Sequence, residues 1–387
     1  MSDARSLRII HSEAATSFGG QEHRVFKEMV AMRERGHYLE AICQPDAELT
    51  ERLREAGFVV HTLYMDGAVN IVRGIFKLKK ILRAGRFDVL NTHSRQDTLI
   101  AAPAARLAKV PLIVRTRHLA SPVGSLLTYT WLPHRVITVS HHVRRQLIGR
   151  GVSAEHVQAI YTPVVLTPRL EQSTLRDELN LSADAILVGC VAVLRPNKGH
   201  LELINAMLPL LRTRPKLHLV LAGGGSPVFE QLQAHITHSG VGNRIFLLGT
   251  RRDVPNVLAG LDIFCLATRQ EAMGTAFLEA AASGLPVIGT DVGGVSEMMR
   301  PGETGLLVPL DDAQALQNAL IQLIDSPALR AKMGQAGYQR VHTEGIFTTE
   351  TLAKRTECIY DQWLRDLRLS LQTDRSTSQQ PTEAERK

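Results

Sequence analysis

Short apolar runs alternate with longer amphipathic segments along almost the whole chain, and they do so in two successive series. The first predicts strands at Leu7–His11, Leu39–Cys43, Val59–Leu63, Val89–His93, Leu112–Val114 and Val136–Val139. The second predicts strands at Ile186–Val193, Leu217–Leu221, Ile245–Leu248, Ile263–Ala267, Val287–Thr290 and Gly305–Val308. Strands separated by helices assemble into parallel sheets covered on both faces. The doubled series therefore predicts an α/β protein of two Rossmann-like parallel-sheet domains facing a central cleft. The expected boundaries are an N-terminal domain over residues 1–168, a polar linker over 169–184 and a second domain over 185–345. A C-terminal helix over 346–371 is expected to cross back to the first domain, followed by a disordered polar tail over 372–387. Ligands of such sheets bind beyond the carboxyl ends of the strands, so chemistry is sought there.

A chain of 387 residues with 44% apolar content can bury two full cores. No run of 18 apolar residues occurs and the start Met1-Ser-Asp-Ala-Arg5 carries no apolar leader, so a cytoplasmic protein is expected. Cys43, Cys190, Cys265 and Cys358 are scattered and read as reduced thiols. Charge is uneven: residues 1–172 hold 24 Lys and Arg against 15 Asp and Glu, the remainder 21 against 23. A basic first half suits an anionic partner, and without zinc-finger, aromatic RNA-binding or basic-zipper patterns that partner is not nucleic acid. Val69–Arg86 interleaves Ile71, Val72, Ile75, Leu78, Ile81 and Leu82 with six cations. Such a helix either faces the core with a solvated rim or lies on an anionic membrane surface, as a peripheral contact on the inner membrane would require.

The most informative segment is Glu271-Ala-Met-Gly-Thr-Ala-Phe-Leu-Glu279. It places one carboxylate on a strand-to-helix loop and a second two turns into the helix, with Gly274 and Thr275 where the helix begins. At ~1.5 Å per residue the acids stand roughly 10 Å apart, beyond the range of paired glycosidase acids and suited to gripping two parts of one extended ligand. A helix N-terminus also favours phosphate. Arg195 and Lys198, in Leu194-Arg-Pro-Asn-Lys-Gly199, follow the first strand of the second domain, and no Asp-x-Asp is present to hold a metal. Two fixed cations at that point suit a phosphate-rich ligand departing with developing negative charge. Gly19 and Gly20 open the first helix and let backbone amides approach phosphate or sugar. His93 ends a strand of the first domain, where it can donate to a substrate hydroxyl. Arg115, Arg117 and His118 crowd positive charge at another strand end, and guanidinium forks recognise phosphate or carboxylate. Arg144 and Arg145 extend the same basic surface. Ala222-Gly-Gly-Gly225 lacks the third glycine of a dinucleotide fingerprint, so Gly223 is placed beside a nucleotide pocket, not an NAD site.

Together these residues resemble a retaining glycosyltransferase of family 4, with the GT-B fold. The resemblance is carried by Glu271 to Glu279 and the following Ala-Ala-Ala-Ser-Gly-Leu-Pro-Val-Ile-Gly-Thr-Asp-Val-Gly-Gly, by Arg195-Pro-Asn-Lys-Gly199, and by Pro301-Gly-Glu-Thr-Gly-Leu-Leu-Val308. It implies that Glu271 binds donor-sugar hydroxyls, Glu279 the ribose, and Arg195, Lys198 and Gly20 the diphosphate. Gly274 and Thr275 would hold sugar or phosphate oxygens, and His93 would sit against the transferred sugar. The implied reaction is metal-independent and needs no cofactor. A hexose would pass with retention from a nucleotide sugar, UDP-linked in the first instance, to an anionic or lipid-linked glycan acceptor of bacterial lipopolysaccharide or capsule assembly. Where many relatives have an Asn-Gly turn between domains, this chain reads Ile160-Tyr-Thr-Pro-Val-Val165. The alternatives are a non-catalytic nucleotide-sugar-binding scaffold, another GT-B enzyme such as a phosphorylase or epimerase, and a GDP-mannose-dependent mannosyltransferase.

Overall fold

The computed structural model describes residues 5–165 and 170–378, with side chains as far as residue 369. The N-terminal sheet holds β1 (Arg8–Glu13), β2 (Tyr38–Cys43), β3 (Val59–Thr62), β4 (Val89–Thr92), β5 (Leu112–Arg117), β6 (Arg135–Thr138) and β7 (Val157–Ala159). The C-terminal sheet holds β8 (Ile186–Val191), β9 (Leu217–Ala222), β10 (Ile245–Gly249), β11 (Ile263–Leu266), β12 (Val287–Thr290) and β13 (Gly305–Val308). Every expected strand is present, and one was not expected. β7 spans three residues and pairs only with β6 at the sheet edge, too little to leave a readable apolar run.

The strand orders are β3-β2-β1-β4-β5-β6-β7 and β10-β9-β8-β11-β12-β13, all pairs parallel. Both domains thus reverse direction beside their first strand, between β1 and β4 and between β8 and β11. A crevice opens at such a reversal because the two flanking connections leave toward opposite faces. The loops after β1, β4, β8 and β11 are those that carry Gly19 and Gly20, His93, Arg195 and Lys198, and Glu271.

β8, β9, β11 and β12 are buried almost throughout, and their side chains form one core with the covering helices, joined by Val139, Val143 and Val164 from the first domain. The chain returns through Phe347, whose carbonyl accepts the Val164 N–H at 2.9 Å. The helix Thr349–Ser378 then lays Leu352, Ala353, Tyr360, Trp363 and Leu364 into the N-terminal core against Leu7, Ile9, Val25 and Met29. Residues 372–378 continue this helix instead of beginning the expected tail. Residues 379–387 of that tail, and residue 169 of the expected linker, lie outside the described residues. Tyr360 is fully buried and its hydroxyl accepts a hydrogen bond from Asn91 Nδ2 at 3.0 Å. Beneath it the wholly buried Arg24 and Glu28 pair at 3.5 Å, and Arg24 Nη1 donates to the Ile160 carbonyl at 3.0 Å.

This helix is therefore part of the first domain's core and not an appendage. Tyr360→Ala removes a buried ring and should lower stability by about 3–5 kcal/mol in urea unfolding. An unchanged midpoint would show that the helix is not held there.

Candidate functional site

A hollow of about 370 Å³ lies between the domains. Gly20, Gln21, His118, Ser121 and Thr162 line it from one side, and Arg195, Lys198, Glu271, Gly274 and Thr275 from the other. Lys198 Nζ donates to Glu271 Oε2 at 2.5 Å, with both side chains largely shielded from water. Arg195 is exposed beside them, where the short helical turn Pro196–Lys198 begins.

Backbone ties bring the two loops together. The Arg269 N–H and the Thr268 hydroxyl both donate to the Asn197 carbonyl, at 2.8 and 3.0 Å. Gly199 follows Lys198 with φ +70°, and a Cβ there would stand 1.7 Å from the Ala267 carbonyl oxygen. Only glycine lets the chain turn into the next helix while touching β11's exit. From the other side Gly293, at φ +60°, presses on Glu271: a Cβ would lie 1.8 Å from its carbonyl oxygen. The Gly294 N–H donates to that oxygen at 3.1 Å. The Gly-Gly doublet after β12 is thus a mould for the Glu271 loop, a role not assigned from sequence although the doublet was visible.

Glu279 borders a second hollow of about 160 Å³, with Lys27, Val165, Val254, Pro255 and Leu258. Burial pushes its carboxyl above the usual range, and Lys27 opposes this. The two acids thus face two neighbouring spaces. Thr275 begins the helix Thr275–Ala282 that separates them, with Gly274 as its N-cap. Gly20 borders the larger hollow as the first residue of the helix Gly20–Glu34, whereas the Gly19 N–H is engaged by Glu22 Oε2 at 2.7 Å. Gly223 borders neither space. It packs on β8's exit, where a Cβ would meet the Ala192 carbonyl oxygen at 1.8 Å, so its smallness serves loop packing.

On the N-terminal side His93 is buried, and His118 stands between it and the hollow. His93 Nδ1 lies 3.0 Å from His118 Nε2, and His93 Nε2 lies 2.9 Å from Nδ1 of the buried His11. A further hollow of about 320 Å³ is lined by His93, Ser94, Arg95, Arg115, Arg117, His118 and Tyr129, with no carboxylate among its lining residues. Arg115 and Arg117 both donate to the Tyr129 hydroxyl, the former at 3.2 Å and the latter at 2.5 Å, and both lie over its ring. Burial lowers the Arg115 pKa, an effect partly offset by Tyr129 and Asp97. The structure therefore gathers Arg115, Arg117 and His118 around one cationic space opening beside the first. Arg144 is drawn elsewhere, donating to the Val157 and Ala154 carbonyls, and Arg145 faces Glu297 at 3.6 Å.

The domains also touch directly. Ser140 Oγ donates to the Ala272 carbonyl at 2.6 Å, and Gln270 Nε2 donates to the Ala120 carbonyl at 3.2 Å. Glu297 accepts the backbone N–H groups of His141 and His142, at 2.9 and 2.6 Å, at the start of the helix His141–Ile148. No motif announces these contacts, because each joins positions far apart in sequence.

Comparison with known proteins agrees with this architecture. The family model for glycosyl transferases group 1 matches residues 171–340, and that for glycosyltransferase family 4 matches residues 18–167. The UDP-Gal:alpha-D-GlcNAc-diphosphoundecaprenol alpha-1,3-galactosyltransferase of Escherichia coli is 25% identical over 346 residues, 84% of this chain and 89% of the relative. The lipopolysaccharide core biosynthesis mannosyltransferase LpsB of Rhizobium meliloti (strain 1021) is 31% identical over 204 residues, 51% of this chain and 58% of its own length. Among solved structures, a glycosyltransferase from Rickettsia africae ESF-5 superposes with a TM-score of 0.85 at 18% identity, over 93% of this chain and 99% of the other. Anabaena Alr3699/HepE in complex with UDP-glucose gives 0.77 at 21% identity, over 90% and 98%. With one match on each lobe and the two-sheet GT-B fold around a common cleft, the chain belongs to the family 4, group 1 glycosyltransferases.

Proposed function

We propose that this glycosyltransferase moves a hexose from a UDP-sugar, with retention and without a metal, to a lipid-linked or phosphorylated glycan acceptor in bacterial surface-polysaccharide assembly. The carrying observation is the Lys198–Glu271 pair in a hollow lined from both domains. In this reading Glu271 takes donor-sugar hydroxyls, and Arg195, Lys198 and the start of the helix Thr275–Ala282 take the diphosphate. Glu279, beside its own hollow, takes the ribose. The charge that develops on the leaving diphosphate meets fixed cations and backbone dipoles that need no rearrangement, the largest common source of rate enhancement. The acceptor hydroxyl approaches on the face the diphosphate leaves and passes its proton to a phosphate oxygen, so no enzyme nucleophile is required. Closure of the domains excludes water and limits donor hydrolysis.

The acceptor enters from the space around Arg115, Arg117 and Arg95, where an anionic group meets guanidinium charge that no lining carboxylate neutralises. The E. coli relative acts on a diphosphoundecaprenol acceptor, which fits that charge. The membrane reading draws support from the helix Ala68–Gly85. Its inner face buries Gly74, Leu78 and Leu82, while Val69, Val72 and Phe76 are each more than half exposed on the other side, among the exposed Arg73, Lys77 and Lys80. An outward apolar stripe flanked by cations suits an anionic bilayer surface, on the cytoplasmic face of the inner membrane. No helix of the described residues is long and apolar enough to cross a membrane. The donor choice has one competitor, GDP-mannose, because the mannosyltransferase relatives include a GDP-mannose-dependent one 34% identical over 204 residues.

Glu271→Gln should lower transfer at least about 100-fold while the circular dichroism spectrum stays that of the wild type. Unaltered turnover would defeat the assignment, and wild-type protein that binds UDP-sugars without ever hydrolysing or transferring them would instead identify a scaffold. Thermal stabilisation by UDP but not GDP is expected, and the reverse selects the mannosyl donor. Vesicles rich in anionic lipid should retain the protein and lose it on Phe76→Ser with Lys80→Glu. Equal retention of both proteins, or of neither, removes the helix Ala68–Gly85 from the membrane account.

A further inference from the structure

His11 lies within β1, His93 and His118 directly follow the neighbouring strands β4 and β5, and the three rings form a chain. His11 Nδ1 lies 2.9 Å from His93 Nε2, with the two rings 9° from parallel, and His93 Nδ1 lies 3.0 Å from His118 Nε2. One end of the chain borders the hollow through His118, and the other ends at His11 Nε2, which is buried and has no hydrogen-bond partner. The charged groups around the chain are Arg24, which is wholly buried, and Arg115, while Asp97 accepts the His93 backbone N–H at 2.8 Å. Burial, reinforced by Arg24, lowers the His11 pKa to about 3. Burial also takes His93 and His118 well below the ordinary range, with Arg24 and Arg115 adding to the effect. All three rings are neutral at pH 7.

Neutrality turns the geometry into a count. Three neutral imidazoles carry three ring N–H groups, and the two links use two of them. The third must stand at one end of the chain. At His11 Nε2 it would be a buried donor with nothing to accept it, which native structures almost never tolerate, and the positive charge of Arg24 would oppose it. At His118 Nδ1 it stands on the one ring of the three that lines the interdomain hollow, at a nitrogen that is not a buried orphan. The count therefore orients the links: His11 Nδ1–H donates to His93 Nε2, and His93 Nδ1–H donates to His118 Nε2.

We propose that His93, and His11 through it, are positioning residues that hold His118 in its Nδ1–H tautomer, so that the N-terminal wall of the cleft presents a hydrogen-bond donor and not a base. The partner is an oxygen of the nucleotide sugar, which rests on the reading of this hollow given above. His118 then cannot take the acceptor's proton, and the proton is left to the departing phosphate. The sequence pointed to His93 as the sugar contact, whereas in this proposal it is the support of its ring neighbour His118.

The test is ring-nitrogen and ring-carbon NMR of protein labelled at histidine, with His11, His93 and His118 assigned by single substitutions to Gln. All three rings should report a protonated Nδ1 in the free protein, whatever ligand the hollow takes. The shifts should hold from pH 8 to pH 5, since His11 is depressed to about 3 and His93 and His118 are taken well below the ordinary imidazole range, whereas the unfolded chain takes up these protons below about 6.5. A protonated Nε2 at His118, or any of the three rings titrating between pH 5 and 8, overturns the proposal. In the transfer assay His93→Leu should lower kcat tenfold or more and give His118 mixed tautomers. His93→Gln, whose amide accepts from His11 and donates to His118, should lose less. Equal losses with His118 still in the Nδ1–H form would show a merely structural role.

Discussion

The contact between Lys198 and Glu271 is short, shielded from water, and made by two loops that leave neighbouring strands of the second sheet. Neither side chain could hold its place alone. The loop after β8 is pinned by carbonyl contacts to the loop after β11, and the second loop is pinned in turn by the glycines after β12. At Gly199, Gly293 and Gly294 the backbone approaches so closely that a Cβ would prevent it. The ion pair is thus the visible end of a stack of close main-chain contacts, and the positions of sugar and diphosphate in the proposed reaction inherit their accuracy from it.

The two lobes divide the labour by charge. In the proposed reaction the second lobe supplies the acids and the donor-side cations, and the first supplies a cationic recess without lining acids together with the imidazole of His118. That imidazole is held well below its ordinary range first by burial, with Arg24 and Arg115 adding to the effect, and Arg115 also lines the recess proposed for the acceptor.

Much of this was legible in the sequence. Twelve of the thirteen strands could be read, since a parallel strand buried on both faces leaves an unbroken apolar run, and the site motifs fall at the exits that topology makes the cleft. What could not be read depended on contacts between distant segments. His93 and His118 end neighbouring strands with equal claims to the cleft, and only the packing order of β1, β4 and β5 decides which ring stands in front. Gly223 was read as lining a pocket because a glycine beside a ligand and a glycine beside a carbonyl look alike in one dimension. The C-terminal helix ran past its expected end because its last turns are polar, and polarity alone does not stop a helix.

Glu297 has a consequence for how the lobes move. It belongs to the second domain, yet it satisfies the first amides of a helix in the first domain, and Tyr161 nearby has its phenol pushed up to about 12 by burial and by that carboxylate. If the lobes part, two amides and a carboxylate must find water in place of each other, a cost of about 1–3 kcal/mol for such charge-assisted bonds. The hinge therefore has a detent: one approach of the lobes is favoured over a continuum of them, and added salt loosens it by screening the acid from the helix end.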